Sequence, residues 1–269
     1  MTTAHARAGA HRPTGLVDFR YLDDGVTTAG QFRAGTAPTV VVVPAMGQTS
    51  VDWGDALPST RAAIWSFNRP SCGGADPRRH HEPMPYSAFA AELDATLEAS
   101  PAVGPYVLVG HSLGGLIALA YTQRRPGMVA GIVLVDPSFP HMDLGGRGTE
   151  PKIDGDDRTG NPIDVDTDAG LVATAVVPGV PAVVLSRAPG WPDYISADED
   201  NRWHAWHSDL ATRWGAPRLV AETAGHQMQH DAPSLVGYAI SQVVQCVRDG
   251  QRSVEVTIED VAALEATIR

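Results

Sequence analysis

Ser112 stands in Gly110-His111-Ser112-Leu113-Gly114-Gly115, directly after the apolar run Tyr106–Val109 and directly before the helix-like stretch Leu113–Arg125. A serine at so tight a strand-to-helix turn has its hydroxyl exposed at the positive end of the helix, with the Leu113 N–H aimed at any oxyanion that forms. The flanking glycines allow the turn, and Gly115 lets the helix approach the strands. Such a hydroxyl attacks carbonyl carbon, but only with a base beside it. Of the 10 histidines, His226 is the candidate. It follows the strand-like Arg218–Glu222 through Thr-Ala-Gly and precedes a helix beginning near Pro233, so it falls at the same edge of a sheet as Ser112. His230, four residues on, is the nearest competitor; His204 and His207 read as decoration of a polar-aromatic helix.

The elements that must hold these groups are legible as alternating strands and helices. Thr39–Val43, Tyr106–Val109, Gly131–Val135 and Ala182–Leu185 are continuous Val/Leu runs, as expected of parallel strands covered on both faces. Helical spacing appears in Ser87–Ala99, Leu113–Arg125, Arg202–Trp214 and Ser234–Val247. The class is therefore α/β with right-handed crossovers. One domain is expected, with residues 1–136 and 181–249 as its body. Residues 137–180 read as a short flexible lid, because His141–Gly170 holds seven Asp and six Gly and few large apolar side chains. Residues 250–269 read as an extension with a β-like Ser253–Val256 and a helix capped by Thr257, packing on the body or on a second subunit.

Four stretches together resemble the α/β-hydrolase superfamily. They are Val40-Val41-Val42-Val43-Pro44-Ala45-Met46-Gly47, Asn68-Arg69-Pro70-Ser71-Cys72-Gly73-Gly74-Ala75-Asp76, the turn at Ser112, and Ala224-Gly225-His226. Pro44-Ala45 stands where the superfamily usually has His-Gly, and Asn68 and Ser71 depart from its D-R-P-G turn. The resemblance implies a mostly parallel central sheet of about eight strands flanked by helices. It also implies a Ser-His-Asp triad and an oxyanion hole built from the N–H groups of Met46 and Leu113. In most relatives the triad acid follows the strand that here is Ala182–Leu185, yet Ser186-Arg187-Ala188-Pro189-Gly190 has no carboxylate before Asp193. A minority place it one strand earlier, where this chain has Asp136. A strand end fixes a carboxylate better than a proline-flanked loop, so Asp136 is favoured and Asp193 is the alternative; Val-Asp-Pro also recurs as a plain strand-ending turn.

Serine rather than aspartate at the turn argues against epoxide hydrolase or dehalogenase chemistry. The resemblance implies hydrolysis of a carboxylic ester, thioester or lactone through an acyl-enzyme. Alternatives in the same fold are non-hydrolytic or carbon–carbon-cleaving biosynthetic enzymes and receptor-like binders. No cofactor is expected and no metal: Asp164-Val165-Asp166-Thr167-Asp168 starts like a calcium loop, but Ala169 and Ala175 replace its glycine and glutamate. The six tryptophans read as core. A net charge of −11 disfavours nucleic acid, and no run of apolar residues is long enough to span a membrane. The polar first residues lack a secretory signal, and Cys72 and Cys246 form no metal or disulfide pattern, so a cytoplasmic location is expected. The expected partner is a small, largely apolar ester or lactone. Nothing in the residues bears on oligomeric state.

Overall fold

The computed structural model describes residues 16–23, 26–78, 82–140, 153–154, 161–177, 179–190 and 195–269. In chain order its elements begin with β1 (Val17–Asp23), β2 (Val26–Arg33), β3 (Thr36–Val43), β4 (Ala62–Asn68) and β5 (Met84–Pro85). There follow α1 (Tyr86–Ala99), β6 (Tyr106–His111), α2 (Leu113–Arg124), β7 (Val129–Val135), β8 (Ile153–Asp154), β9 (Asn161–Asp164) and α3 (Ala169–Ala173). The chain continues through β10 (Ala182–Ser186), α4 (Ala197–Trp214), β11 (Arg218–Ala221), α5 (Met228–Asp231), α6 (Pro233–Arg248), α7 (Ile258–Ala262) and β12 (Ala266–Ile268).

Nine of these strands form one sheet in the order β1-β2-β4-β3-β6-β7-β10-β11-β12. The run β4-β3-β6-β7-β10-β11 is parallel throughout, and antiparallel pairs close both edges. Alternate side chains feed two cores. Val41, Val43, Leu108, Leu134 and Val184 meet the α1–α2–α4 layer. Val40, Val42, Val109, Val133 and Leu185 meet α6 and the 3-10 turn Ser50–Ala56. Both faces are covered, so these strands carry no polar alternation.

The mostly parallel sheet is as expected, with nine strands, and two expectations are corrected. One edge strand comes from the supposed extension: Ala266–Ile268 pairs antiparallel with β11, whereas Ser253–Val256 forms no strand. A three-residue strand has too little periodicity to read; its β11 partner supplies the hydrogen bonds that make it one. The helix capped by Thr257 is present but short, with the Thr257 hydroxyl accepting from Asp260 N. Within the expected lid, residues 161–177 are packed structure: β9 pairs with β5, and Ile163, Val172, Ala175 and Val177 are buried in the α1–α2 core. The acidic residues there are committed locally, Asp164 accepting from Asp166 N and Thr167 N, and Asp168 from Ser87 N at the start of α1. Residues 141–152, 155–160 and 178 of the expected lid lie outside the described residues.

Candidate active site

The turn at Ser112 is built by close approach. Ser112 has φ +52° and ψ −119°, a conformation that costs energy for a residue with a side chain and is held here by its surroundings. Its N–H donates to Val135 O at 3.2 Å, and its carbonyl accepts from Gly115 N (2.9 Å) and Ser138 N (3.2 Å). A Cβ on Gly110 would fall 2.5 Å from Gly114 O, and one on Gly114 would strike the Val43 carbonyl. Glycine at both positions is thus what lets α2 start hard against β3 and β6. Leu113 opens α2, in the turn whose N–H groups have no partner within the helix.

Asp136 directly follows β7, the strand hydrogen-bonded to β6, with His111 registered against Val135. It is fully buried at φ +40°. His226 Nδ1 donates to its Oδ2 at 2.7 Å, and Arg187 N and Trp203 Nε1 each donate to Oδ1 at 3.1 Å. The Arg187 guanidinium stands 3.6 Å away. Burial alone pushes the Asp136 pKa up, but the hydrogen bond and charge of His226, with smaller contributions from His207 and Arg187, hold it well below the usual carboxylate range. A permanent carboxylate fixes the tautomer of His226 with Nδ1 protonated and the lone pair on Nε2.

The structure therefore brings Asp136 and His226 into contact at the edge where Ser112 lies. His230, by contrast, is half exposed and faces Asp52 at 3.8 Å. Asp193 lies outside the described residues. Met46 and Gly47 are the central residues of a turn closed by Gln48 N donating to Ala45 O, with Gly47 at φ +68°. Buried Arg69 holds that loop from beneath, donating from Nη1 to Pro44 O and from Nη2 to Ala45 O, both at 2.6 Å. Both departures from the D-R-P-G turn are accommodated. Asn68 accepts from Ser50 N and donates to Gly73 O, and Ser71 adopts φ +69°, where glycine is the easier fit.

Several residues were not legible as site components. Ser138 Oγ, fully buried, lies 3.1 Å from Ser112 Oγ, within hydrogen-bond distance of the nucleophile. His111 places Nε2 2.7 Å from the His226 carbonyl and Nδ1 3.0 Å from the Gln48 side-chain amide, tying the Met46 loop to the His226 loop. Trp203 is core, as expected of the tryptophans, yet its indole N–H orients Asp136. His207 is no decoration: it is fully buried between Ser186 Oγ (2.8 Å) and Pro137 O (2.8 Å). His204 is mostly buried, its ring between Arg187 and Arg218. Helix α4 starts at Ala197, five residues before the apolar periodicity, because Ser196 and Glu199 form a capping box ahead of a polar first turn. That box was the signal available in the sequence.

Burial lowers the pKa of His111 to about 3 and that of His207 to about 4. Both rings are neutral in the folded chain near pH 7, while a free imidazole titrates near 6.5. The unfolded chain binds more protons over that interval, so folding stability is full above about pH 6.5 and falls as pH drops toward 4 and 3. Each displacement is worth on the order of 3–5 kcal/mol. Urea unfolding at pH 7 and pH 4.5 is expected to show a lower midpoint at the acid pH, and His207→Gln a smaller loss on acidification. An unchanged midpoint between the two pH values refutes the assignment of neutral buried rings.

Comparison with known proteins agrees with the fold. The family described as alpha/beta hydrolase fold matches residues 38–158. The polyketide synthase ThaQ of Burkholderia thailandensis is 30% identical over 153 residues, which is 56% of this chain but 7% of that protein's length. The carboxylesterase CesB of Bacillus subtilis superposes with a TM-score of 0.64 at 17% identity, covering 86% of this chain and 92% of that one. The thioesterase domain from the curacin biosynthetic pathway superposes at 0.61 and 14% identity, covering 84% and 99%. Among the described residues no helix is long and apolar enough to cross a membrane.

Proposed function

Because the chain belongs to the α/β-hydrolase superfamily, we propose that it is a serine hydrolase transferring the acyl group of a carboxylic ester, thioester or lactone to water. The observation that carries this reading is the Asp136–His226 hydrogen bond of 2.7 Å at the sheet edge where Ser112 heads α2. In this reading His226 Nε2 takes the Ser112 proton as Oγ attacks the carbonyl carbon. The N–H groups of Leu113 and Met46 receive the oxyanion, and the leaving group departs with the proton from His226. Water, deprotonated by the same ring, then releases the acid and restores Ser112. Asp136 stays ionised throughout, orienting the imidazole and stabilising its charged form. The substrate is a small to medium, largely apolar molecule, since the loops around Ser112, Met46 and His226 offer no cluster of Arg or Lys. Cytoplasmic action belongs to the same proposal.

Fluorophosphonate labelling together with a panel of p-nitrophenyl esters from acetate to decanoate tests it. The expected result is one label per chain, at Ser112, and turnover of at least the shorter esters. An intact chain that takes no label and cleaves no ester or thioester refutes the proposal, and saturable ester binding without cleavage would mark a receptor-like binder.

A further inference from the structure

Behind Asp136, on the side away from Ser112, the sheet ends in β11 and β12, and α4 covers their face incompletely. A cavity of about 490 Å³ is left there, with Arg218 and Val220 of β11, Thr267 of β12, Arg269 just after it, and His204 of α4 in its walls. Arg218 is 8% exposed. Its Nε donates to Ser186 Oγ at 2.9 Å and its Nη2 lies 2.6 Å from His204 Nδ1; Nη1 has no partner among the described residues. No carboxylate of the described residues comes within ion-pair distance of this guanidinium, and the charge of Asp136, which favours its cationic form, acts on it only from farther off. Asp200, an acid in the same wall, is engaged with Arg187 Nη1 at 2.7 Å and Gly190 N at 2.8 Å. His204 is no counter-charge either. Its ring also meets Arg187 Nη1 at 2.9 Å, and burial, then Arg187 and Arg218, lower its pKa, so it is neutral near pH 7. Arg269, whose N–H donates to Arg218 O, adds a second positive charge to the same face.

A guanidinium so buried ordinarily has an anion beside it, since an unpaired charge away from water costs several kcal/mol. We propose that this cavity binds the carboxylate of a small organic acid, with Arg218 as its principal partner and Arg269 at the mouth. Nη1 and Nη2 of one guanidinium match the two oxygens of a carboxylate. Pro189, Val220 and Ala221 offer apolar wall to a hydrocarbon body, and the volume suits one of benzoate size. Asp200 and Glu222 in the same walls repel a doubly charged group, which favours a carboxylate over a phosphate dianion. This inference does not depend on the proposed reaction, because none of these residues lies at Ser112.

Thermal melting of the full chain in benzoate, acetate and inorganic phosphate, each at matched ionic strength, tests the proposal. Benzoate at about 10 mM is expected to raise Tm by about 2–4 °C in a saturable manner, with phosphate weaker. Arg218→Gln abolishes the rise, and Arg269→Gln, on the exposed strand end, weakens benzoate several-fold. Should Arg218→Gln fail to fold, the Arg218 15Nε resonance of the wild-type chain provides the readout, expected to shift on benzoate addition. No saturable effect up to 50 mM, an equal effect in the variants, or an unmoved Arg218 resonance overturns the proposal; phosphate binding more tightly than benzoate overturns its assignment to a carboxylate.

Discussion

Ser112→Ala is expected to lower ester turnover by about 10⁵- to 10⁶-fold while leaving the fold intact. The loss is that large because, in the proposed reaction, every bond made and broken passes through one oxygen. The fold survives because alanine keeps the Cβ, so the backbone at φ +52° is no more strained than before, and the backbone hydrogen bonds to Val135, Gly115 and Ser138 do not involve the hydroxyl. Only the contact with Ser138 Oγ disappears. Near-ultraviolet circular dichroism and Tm check the fold, and single-turnover kinetics the loss. His226→Ala should lose comparably, and the double variant little more, since the two act as a unit. Undiminished esterase activity in Ser112→Ala would remove the proposed mechanism altogether.

Asp136→Asn is the second large effect, a loss of about 10³- to 10⁴-fold in turnover. The substitution is nearly isosteric, and an asparagine Oδ1 can still accept from Arg187 N and Trp203 Nε1. The amide nitrogen, however, would then present N–H groups to His226 Nδ1, which now has to carry the lone pair. The ring proton moves to Nε2, and the base reaches Ser112 already protonated. The same change leaves the fully buried Arg187 with one counter-charge fewer, so a lower Tm accompanies the kinetic loss. Asp193→Asn should remain within a few-fold of the wild type. Kinetics on variants measured well below their melting temperatures decide between the two; an inert Asp136→Asn beside an inactive Asp193→Asn would move the acid to Asp193.

The four strands β3, β6, β7 and β10 of the parallel core were readable because each, covered on both faces, carries a run of Val, Ile and Leu. The nucleophile turn was readable because glycine is forced at positions 110 and 114 by backbone a Cβ cannot enter. Ser196–Asn201 was not, since that turn of α4 is stabilised by its cap and its charges and carries no apolar stripe. Nor was β12, whose three residues become a strand only through β11. The polar surroundings of Asp136 were misread for a related reason. His207 and Trp203 look like one amphipathic helix surface in the sequence, and only the packing of α4 on β10 turns Trp203 toward the carboxylate and His207 toward the Pro137 carbonyl beside it.

Ser112 and Asp136 follow immediately on residues that are direct partners in the β6–β7 ladder, His111 and Val135. The distance between them is therefore set by sheet hydrogen bonds and does not depend on any loop. His226 alone is carried on a connecting segment, between β11 and α5, tethered through Gly225 N to Asp231, its own carbonyl to His111, and its ring to Asp136. For relative motion within the site, two of the three members form a single rigid body and the third supplies the remaining degree of freedom. Drift of the geometry with temperature thus has one origin, the segment 222–227, and rigidifying the site is a problem of six residues and not of the sheet.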